Sequence, residues 1–287
     1  MLVRLITFNI RYAATTPYPG EELWSVRYPK LCAQLNFITT GLPSAFICLQ
    51  EVLHSQLTDI ESGLGQSWDH IGQGRDDGKT AGEFSPVFFR SDTWICTRNQ
   101  TLWLSETPDT PSKGWDADLN RVVTVGLFQH KDTGTSVLVM STHFDHRGEK
   151  AREESAKLLV KIAHTWYHDT GGEQENQPPV FLGGDFNSTP DGKAYKQITL
   201  PETGMKDIRD LVAKEKRYGN DEITYTSFGG EERQTRIDFL FTLESPDITP
   251  RTFAILPNRF DDGIALSDHR AVVADVEIPA HAKSGSR

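Results

Sequence analysis

The chain has 287 residues, of which 37% are hydrophobic and 24% charged, and its formal net charge at neutral pH is −10. This length and the even composition fit one domain that is large enough to bury a full core. The acidic excess argues against tight binding to long duplex nucleic acid, although it does not exclude a local basic patch.

Cysteine usage and the chain start bear on the cellular compartment. Cys32, Cys48 and Cys96 lie among apolar neighbours, are too few for a disulfide framework and fit no zinc spacing. Met1 leads straight into a strand pattern, which leaves no room for a signal peptide. No apolar run approaches the roughly 20 residues of a membrane helix. We therefore expect an intracellular, cytoplasmic location, no membrane segment, and a monomer.

Apolar runs rich in Val, Ile, Phe and Thr predict strands. In chain order these runs cover 2–10, 45–50, 85–90, 100–104, 121–129, 135–143, 180–186, 236–243, 251–256 and 270–278. Helical spacing predicts helices at 28–39, 55–64, 148–168 and 204–213. This pattern predicts an α/β fold in which two sheets pack face to face under a cover of helices. We expect a single domain over 1–280, with a polar surface loop at 171–179 and a disordered tail at 281–287.

Four short strings follow apolar runs and carry polar groups suited to chemistry. They are Thr-Phe-Asn-Ile-Arg (7–11), Leu-Gln-Glu-Val (49–52), Gly-Gly-Asp-Phe-Asn (183–187) and Ser-Asp-His (267–269). Together they supply oxygen ligands for a divalent cation, a carboxylate to direct water and a histidine to face a phosphate. Metal-assisted phosphodiester hydrolysis needs this set of groups.

Each polar group also has a structural interpretation. Glu51 ends a buried strand, where a carboxylate either caps the next segment or holds a cation, and Asn9 fits an Asx-turn at a strand exit. Asp185 and Asn187 are two apart, so strand alternation turns both toward one side. We favour function for this pair, because an aspartate and an asparagine that face one centre can orient or deprotonate water. A lone His269 would more often be structural than catalytic.

The order and spread of these strings, from residue 3 to about residue 277, resemble the endonuclease/exonuclease/phosphatase superfamily. The resemblance implies a four-layer α/β/β/α sandwich of two mostly antiparallel sheets, with the site at the strand ends. It also implies Mg²⁺ or Mn²⁺ as cofactor, and it adds Asn9 as a further candidate ligand or phosphate contact. The roles that it implies for the remaining core residues are metal binding by Glu51 and Asp268, pairing of Asp238 with His269, and phosphate contact by His143.

One branch of the superfamily shows further strings that match this chain. They place Trp24, Trp115, Arg121 and Arg147 as candidate substrate contacts. For the two tryptophans, hydrophobic packing is at least as good an interpretation as stacking on a base or sugar. The arginines would either clamp a phosphate or pair with the surplus acidic residues.

The sequence therefore predicts a metal-dependent phosphoesterase, with a nuclease or nucleotide-directed phosphodiesterase as first choice. The substrate would be a phosphoester, DNA or RNA among the candidates. A phosphomonoesterase for a small metabolite is the alternative, and the acidic net charge suits it slightly better. A catalytically inactive binding or scaffold protein is a third hypothesis, which the presence of all the core polar groups disfavours.

Overall fold

The computed structural model describes residues 1–170, 177–230 and 233–280, and two sheets dominate this part of the chain. The predicted tail, 281–287, and the segment 171–176 of the predicted polar loop lie outside the described residues. The strands are β1 (Leu2–Asn9), β2 (Ala45–Gln50), β3 (Trp68–Ile71), β4 (Val87–Arg90), β5 (Trp94–Trp103), β6 (Val122–His130), β7 (Ser136–His143), β8 (Val180–Asp185), β9 (Met205–Asp207), β10 (Arg217–Tyr218), β11 (Asp238–Leu243), β12 (Thr249–Ile255) and β13 (Val272–Glu277). The helices are α1 (Trp24–Thr39), α2 (His54–Leu64), α3 (Glu149–Thr170), α4 (Lys193–Ile198) and α5 (Ile208–Leu211).

The strands form a seven-stranded sheet and a six-stranded sheet. The first has the order β10-β12-β13-β1-β2-β4-β3, and the second has the order β5-β6-β7-β8-β11-β9. Most neighbours are antiparallel, and the parallel pairs are β1 with β2, β7 with β8, and β10 with β12. The predicted sandwich of two mostly antiparallel sheets flanked by helices is confirmed.

Three clusters of buried side chains fill the spaces between four layers. One lies between the sheets, one between the first sheet and helices α1 and α2, and one between the second sheet and helices α3 and α4. Strand β2 is buried on both faces, because Phe46 points to the inter-sheet cluster and Ile47 to the helix-facing cluster. Each fully buried side chain of this size contributes roughly 1.5–3 kcal/mol.

Some short elements differ from the prediction. Strand β3 and helix α4 were not predicted, and the helix predicted at 204–213 is a short strand followed by a single helical turn. Met205 pairs with Leu243 of the neighbouring strand β11, and the side chain of Asp207 then caps α5 by accepting the N–H of Arg209. Pairing along a sheet edge therefore outweighed the helical spacing of the apolar residues.

Strand register brings the predicted polar groups to one edge of the sandwich. The parallel pair β1 and β2 sets Asn9 beside Gln50, directly before Glu51. In the second sheet, Asp185 pairs with His143 on one side and Asp238 on the other. Among the described residues, no helix has the length and apolarity that a membrane crossing requires.

Candidate active site

Asn9 connects the polar groups of the two sheets. Its Nδ2 donates to Glu51 Oε1 at 3.0 Å and to Asp185 Oδ2 at 2.9 Å, while its Oδ1 accepts the backbone N–H of Arg11 at 3.0 Å. An amide nitrogen suits this position because both neighbours are carboxylates, which only accept hydrogen bonds when ionised. Asn9 thus bridges two carboxylates. That Asn9 also binds a metal ion directly stays a prediction.

His269 and Asp238 form the hydrogen bond that the resemblance implied. Nδ1 of His269 lies 2.8 Å from Asp238 Oδ2, and its Nε2 lies 3.7 Å from Asp185 Oδ2. All three side chains are almost fully buried. Thr224 fixes the start of β11, since its Oγ1 accepts the backbone N–H of Asp238 at 3.1 Å.

The charges of this group differ from those of free side chains. Burial alone would lower the pKa of His269, but the carboxylates of Asp238 and Asp185 raise it well above its usual value. Burial, and next the charge of Asp238, raise the pKa of Asp185 to about 7. At neutral pH the site therefore combines an imidazolium with a carboxylate that is poised to exchange a proton.

His143 has the opposite charge state. Nδ2 of Asn187 donates to the carbonyl of Phe144 at 3.0 Å and faces His143 Nε2 at 3.1 Å. Nε2 also lies 3.5 Å from Asp185 Oδ2, and Nδ1 faces Glu83 Oε2 at 3.9 Å. Burial and the nearby positive charges of Arg121 and Arg75 hold the pKa of His143 well below its usual value. His143 is a neutral imidazole.

Two groups of side chains could bind a cation, and the first is Glu51 with Asp268. Burial alone would raise the pKa of Glu51, yet hydrogen bonds from Asn9 and Tyr12 hold it below its usual value. Burial raises the pKa of Asp268, and the charge of Glu51 adds to the rise. The other set is Asp185, Asp238 and His269, whose ligand atoms lie within 4.8 Å of one another.

The backbone is strained beside these groups. Arg11, Glu51 and Asn187 have φ values of 59°, 60° and 44°, in the left-handed region that non-glycine residues rarely adopt. All three residues line the cleft. Such strain tends to persist where the surrounding structure fixes a functional geometry.

A cleft of about 900 Å³ opens above the buried groups. Arg121 lines it and is 95% buried; its Nε lies 3.6 Å from Asp145 Oδ2, and among the described residues its Nη1 has no hydrogen-bond partner. Its Nη2 contacts His146 Nδ1 at 3.2 Å. A buried guanidinium with one unpaired nitrogen favours an oxygen-rich ligand, because unpaired buried donors are costly.

The other predicted substrate contacts lie elsewhere. Trp24, Trp115 and Arg147 are not among the described residues that line the cleft. Trp24 donates from Nε1 to Asp59 at 2.8 Å and so ties α1 to α2, and the exposed Arg147 lies 3.4 Å from Asp118. The location of Trp24 fits the packing interpretation given above. A role in substrate contact stays a prediction for all three.

Asp145 holds together the segment that follows His143. Its Oδ1 accepts the N–H groups of Arg147 and Gly148, and its Oδ2 accepts those of Asp118 and Leu119. Burial alone would raise the pKa of Asp145, but these four backbone donors lower it to about 2. Asp145 thereby joins two loops of the cleft rim.

Glu83, which lines the cleft, and its partner Arg75 lie beside the predicted site residues, and the sequence analysis missed both. Glu83 accepts hydrogen bonds from both terminal nitrogens of Arg75, at 2.6 and 3.0 Å. Its Oε2 lies 3.9 Å from Nδ1 of His143. The signal was the same as for Glu51, an acidic residue next to an apolar run. Here it precedes the run, in Gly82-Glu-Phe-Ser-Pro.

The fold and the site together define a class of protein, a helix-flanked double-sheet sandwich with an acidic and histidine-bearing cleft at one edge. No family model matches the chain. It is 35% identical to the endonuclease/exonuclease/phosphatase of Bacteroides vulgatus, with a TM-score of 0.81, over 97% of this chain and 100% of that one. It is 30% identical to a mannosyl-6-phosphatase of Bacteroides thetaiotaomicron, with a TM-score of 0.83, over 96% of this chain and 100% of that one.

A curated relative, an uncharacterized protein of Acanthamoeba polyphaga mimivirus, is 29% identical over 115 residues. That match covers 36% of this chain and 40% of the viral protein. The chain belongs to the endonuclease/exonuclease/phosphatase family.

Proposed function

We propose that this protein is a divalent-metal-dependent phosphoesterase that hydrolyses small phosphomonoesters, with sugar phosphates as the substrate class. The observation that carries the proposal is the buried chain from Asp238 through His269 to Asp185, which reaches the floor of the cleft. It places a cation and a proton acceptor side by side. Phosphoryl transfer to water needs both, one to stabilise developing negative charge and one to take a proton.

Each residue of the chain has a distinct role in the proposal. Asp185 takes the proton of the attacking water, and Asn187, whose amide nitrogen is engaged by His143 and Phe144, offers Oδ1 to the same water. His269 points Nε2–H at a phosphoryl oxygen, because Asp238 holds its other ring nitrogen. Arg121, which lines the cleft and keeps an unpaired Nη1, would bring positive charge to the phosphate of the substrate.

Glu51 and Asp268 are the residues that would hold Mg²⁺ or Mn²⁺. They offer carboxylate oxygens, the donors that these ions prefer, and their mutual electrostatic repulsion would be relieved by a cation. The ion would polarise a phosphoryl oxygen as a Lewis acid. We assign Asp185, Asp238 and His269 to proton handling, since the hydrogen bond between His269 and Asp238 already occupies their facing atoms.

The cleft supports a small substrate more than a nucleic acid. The net charge of −10 would repel the successive phosphates of a polynucleotide. The cleft itself carries both signs of charge, since Asp118 pairs with Arg147 and Glu149 with Lys193. The relative named as a mannosyl-6-phosphatase matches over nearly the whole chain. These observations favour the phosphomonoesterase over the nuclease, which the sequence had placed first.

A direct assay tests the proposed function. We expect the purified protein with Mg²⁺ or Mn²⁺ to release phosphate from mannose 6-phosphate, and to do so much faster than it cleaves single-stranded DNA or a simple phosphodiester. The control is the same protein in excess EDTA, which should be inactive. Faster cleavage of DNA would restore the nuclease, and full activity in EDTA would exclude the metal mechanism.

Glu51→Gln should weaken metal binding by at least about tenfold, because the variant loses one of the few charged ligands. Isothermal titration of Mn²⁺ measures this without substrate. Asp238→Asn is the matched comparison and should leave Mn²⁺ affinity much closer to that of the wild type. If Asp238→Asn has the larger effect, the ion binds in the cluster of Asp185, Asp238 and His269 instead.

A further inference from the structure

The loop between β1 and α1, residues 10–23, forms one side of the cleft and is held in place by a buried arginine. The side chain of Arg27 is fully buried. Its guanidinium donates to backbone carbonyls at both ends of the loop and beyond it: Ile10, Arg11, Tyr12, Glu22 and Leu266. A planar group that saturates this many carbonyls fixes the loop in one conformation.

Within this loop, Arg11 lies against two tyrosine rings. Its Cζ is 4.2 Å from the ring centre of Tyr12 and 5.1 Å from that of Tyr18, distances at which a cation attracts an aromatic ring. Glu21 fixes the group, since its carboxylate accepts Arg11 Nε at 3.2 Å and the N–H of Tyr18 at 3.0 Å. We call Tyr12 and Tyr18, with Arg11 between them, the tyrosine platform.

The tyrosine platform is joined to the catalytic floor. The N–H of Tyr12 donates to Glu51 Oε2 at 3.1 Å, and both tyrosines line the cleft. Tyr18 is 64% exposed there. An aromatic ring that is exposed on a rigid loop at the mouth of a polar cleft can bind a ligand with little loss of conformational entropy.

The second sheet supplies a polar side to the same cleft. Asp118 comes from the loop before β6, and His146 and Glu149 come from the segment after β7. Carboxylates and an imidazole accept hydrogen bonds from hydroxyl groups. The cleft therefore offers aromatic surface from one sheet and hydroxyl acceptors from the other.

We propose that the tyrosine platform binds the apolar face of a sugar ring whose phosphate lies over His269. The hydroxyl groups of the sugar would then face Asp118 and Glu149. A pyranose fits this combination because it carries an apolar face and a neutral, hydrogen-bonding edge. This inference rests on the proposed function and adds the residues that select the leaving group.

Tyr18→Ala tests the inference. We expect its KM for mannose 6-phosphate to rise about tenfold or more, the usual cost of truncating an aromatic anchor. Its KM for the acyclic glycerol 3-phosphate should rise far less. Tyr18→Phe keeps the ring and should restore a KM near that of the wild type. Tyr218, which is 63% exposed on β10, gives the matched control Tyr218→Ala, for which we expect wild-type kinetics.

Binding measurements separate the failure of this inference from the failure of the proposed function. In the Asp185→Asn background, calorimetry with mannose 6-phosphate should show binding that Tyr18→Ala weakens. If the wild type hydrolyses no phosphomonoester but this pattern of binding holds, the proposed function fails and the platform stands. If no sugar phosphate binds, or if Tyr18→Ala raises both KM values equally, the platform is not a sugar site.

Discussion

Asp185→Asn is expected to lower kcat by about 10²–10⁴-fold on the phosphoester that the protein hydrolyses best, the usual scale for a positioned general base. The reason is its place in the cleft, where Asp185 meets Asn9, Asn187, His143 and His269. Asparagine keeps the volume of the side chain but cannot accept a proton from water.

The pH dependence gives the same residue a second signature. The pKa of Asp185 is raised to about 7, and a general base works only when ionised, so the kcat of the wild type should fall as the pH drops below about 7. Asp185→Asn should remove this limb from its residual activity. Steady-state kinetics over pH 5–9 at saturating metal measures it.

Stability should change in a characteristic direction. A carboxyl group with a folded pKa near 7 and an unfolded pKa of about 3.9 binds more protons in the native state, so its contribution to stability falls as the pH rises from about 4 to about 7. Asp185→Asn relieves this cost and loses the bond from Asn9, so we expect little net change in Tm. Asp191→Asn, at an exposed aspartate six residues further on, is the control and should keep full activity. Near-normal turnover by Asp185→Asn would remove Asp185 from the mechanism.

His269→Ala is expected to lower kcat by about 10²–10⁴-fold as well, because it removes the cation that faces the phosphoryl group. Burial alone would lower the pKa of His269, but Asp238 and Asp185 raise it well above its usual value, so the ring carries its proton at neutral pH. His54→Ala, at an exposed histidine on α2, is the control and should behave as the wild type.

Asp238→Asn tests the source of that charge. It removes the carboxylate that raises the pKa of His269 most strongly, and it also removes a charge that raises the pKa of Asp185. The alkaline limb of the pH profile, where His269 loses its proton, should therefore move to lower pH. The acidic limb, where Asp185 ionises, should move to lower pH as well. Limbs that stay in place in Asp238→Asn would show that Asp238 does not set the charges of the site.

The sequence by itself determined the architecture and the core of the candidate site. Strands that are buried on both faces appear as continuous apolar runs, so β2 and β8 and the polar residues at their ends, Glu51 and Asp185, could be found by local pattern alone. The short edge strands β3 and β9 were not predicted as strands, because they form through pairing with a neighbouring strand. The same limit applies to α4, a helix of six residues.

Only the tertiary structure decided the charge states and the cleft walls. His143 and His269 look alike in sequence, yet burial and the charges of Arg121 and Arg75 keep His143 neutral. His269 is cationic because Asp238 reaches it from 31 residues away. Tyr18 lines the cleft, and Trp24 contacts Asp59 on the neighbouring helix. Both positions follow from how distant parts of the chain pack together. Burial and the sum of nearby charges depend on residues far apart in the chain, and a linear pattern does not contain those distances.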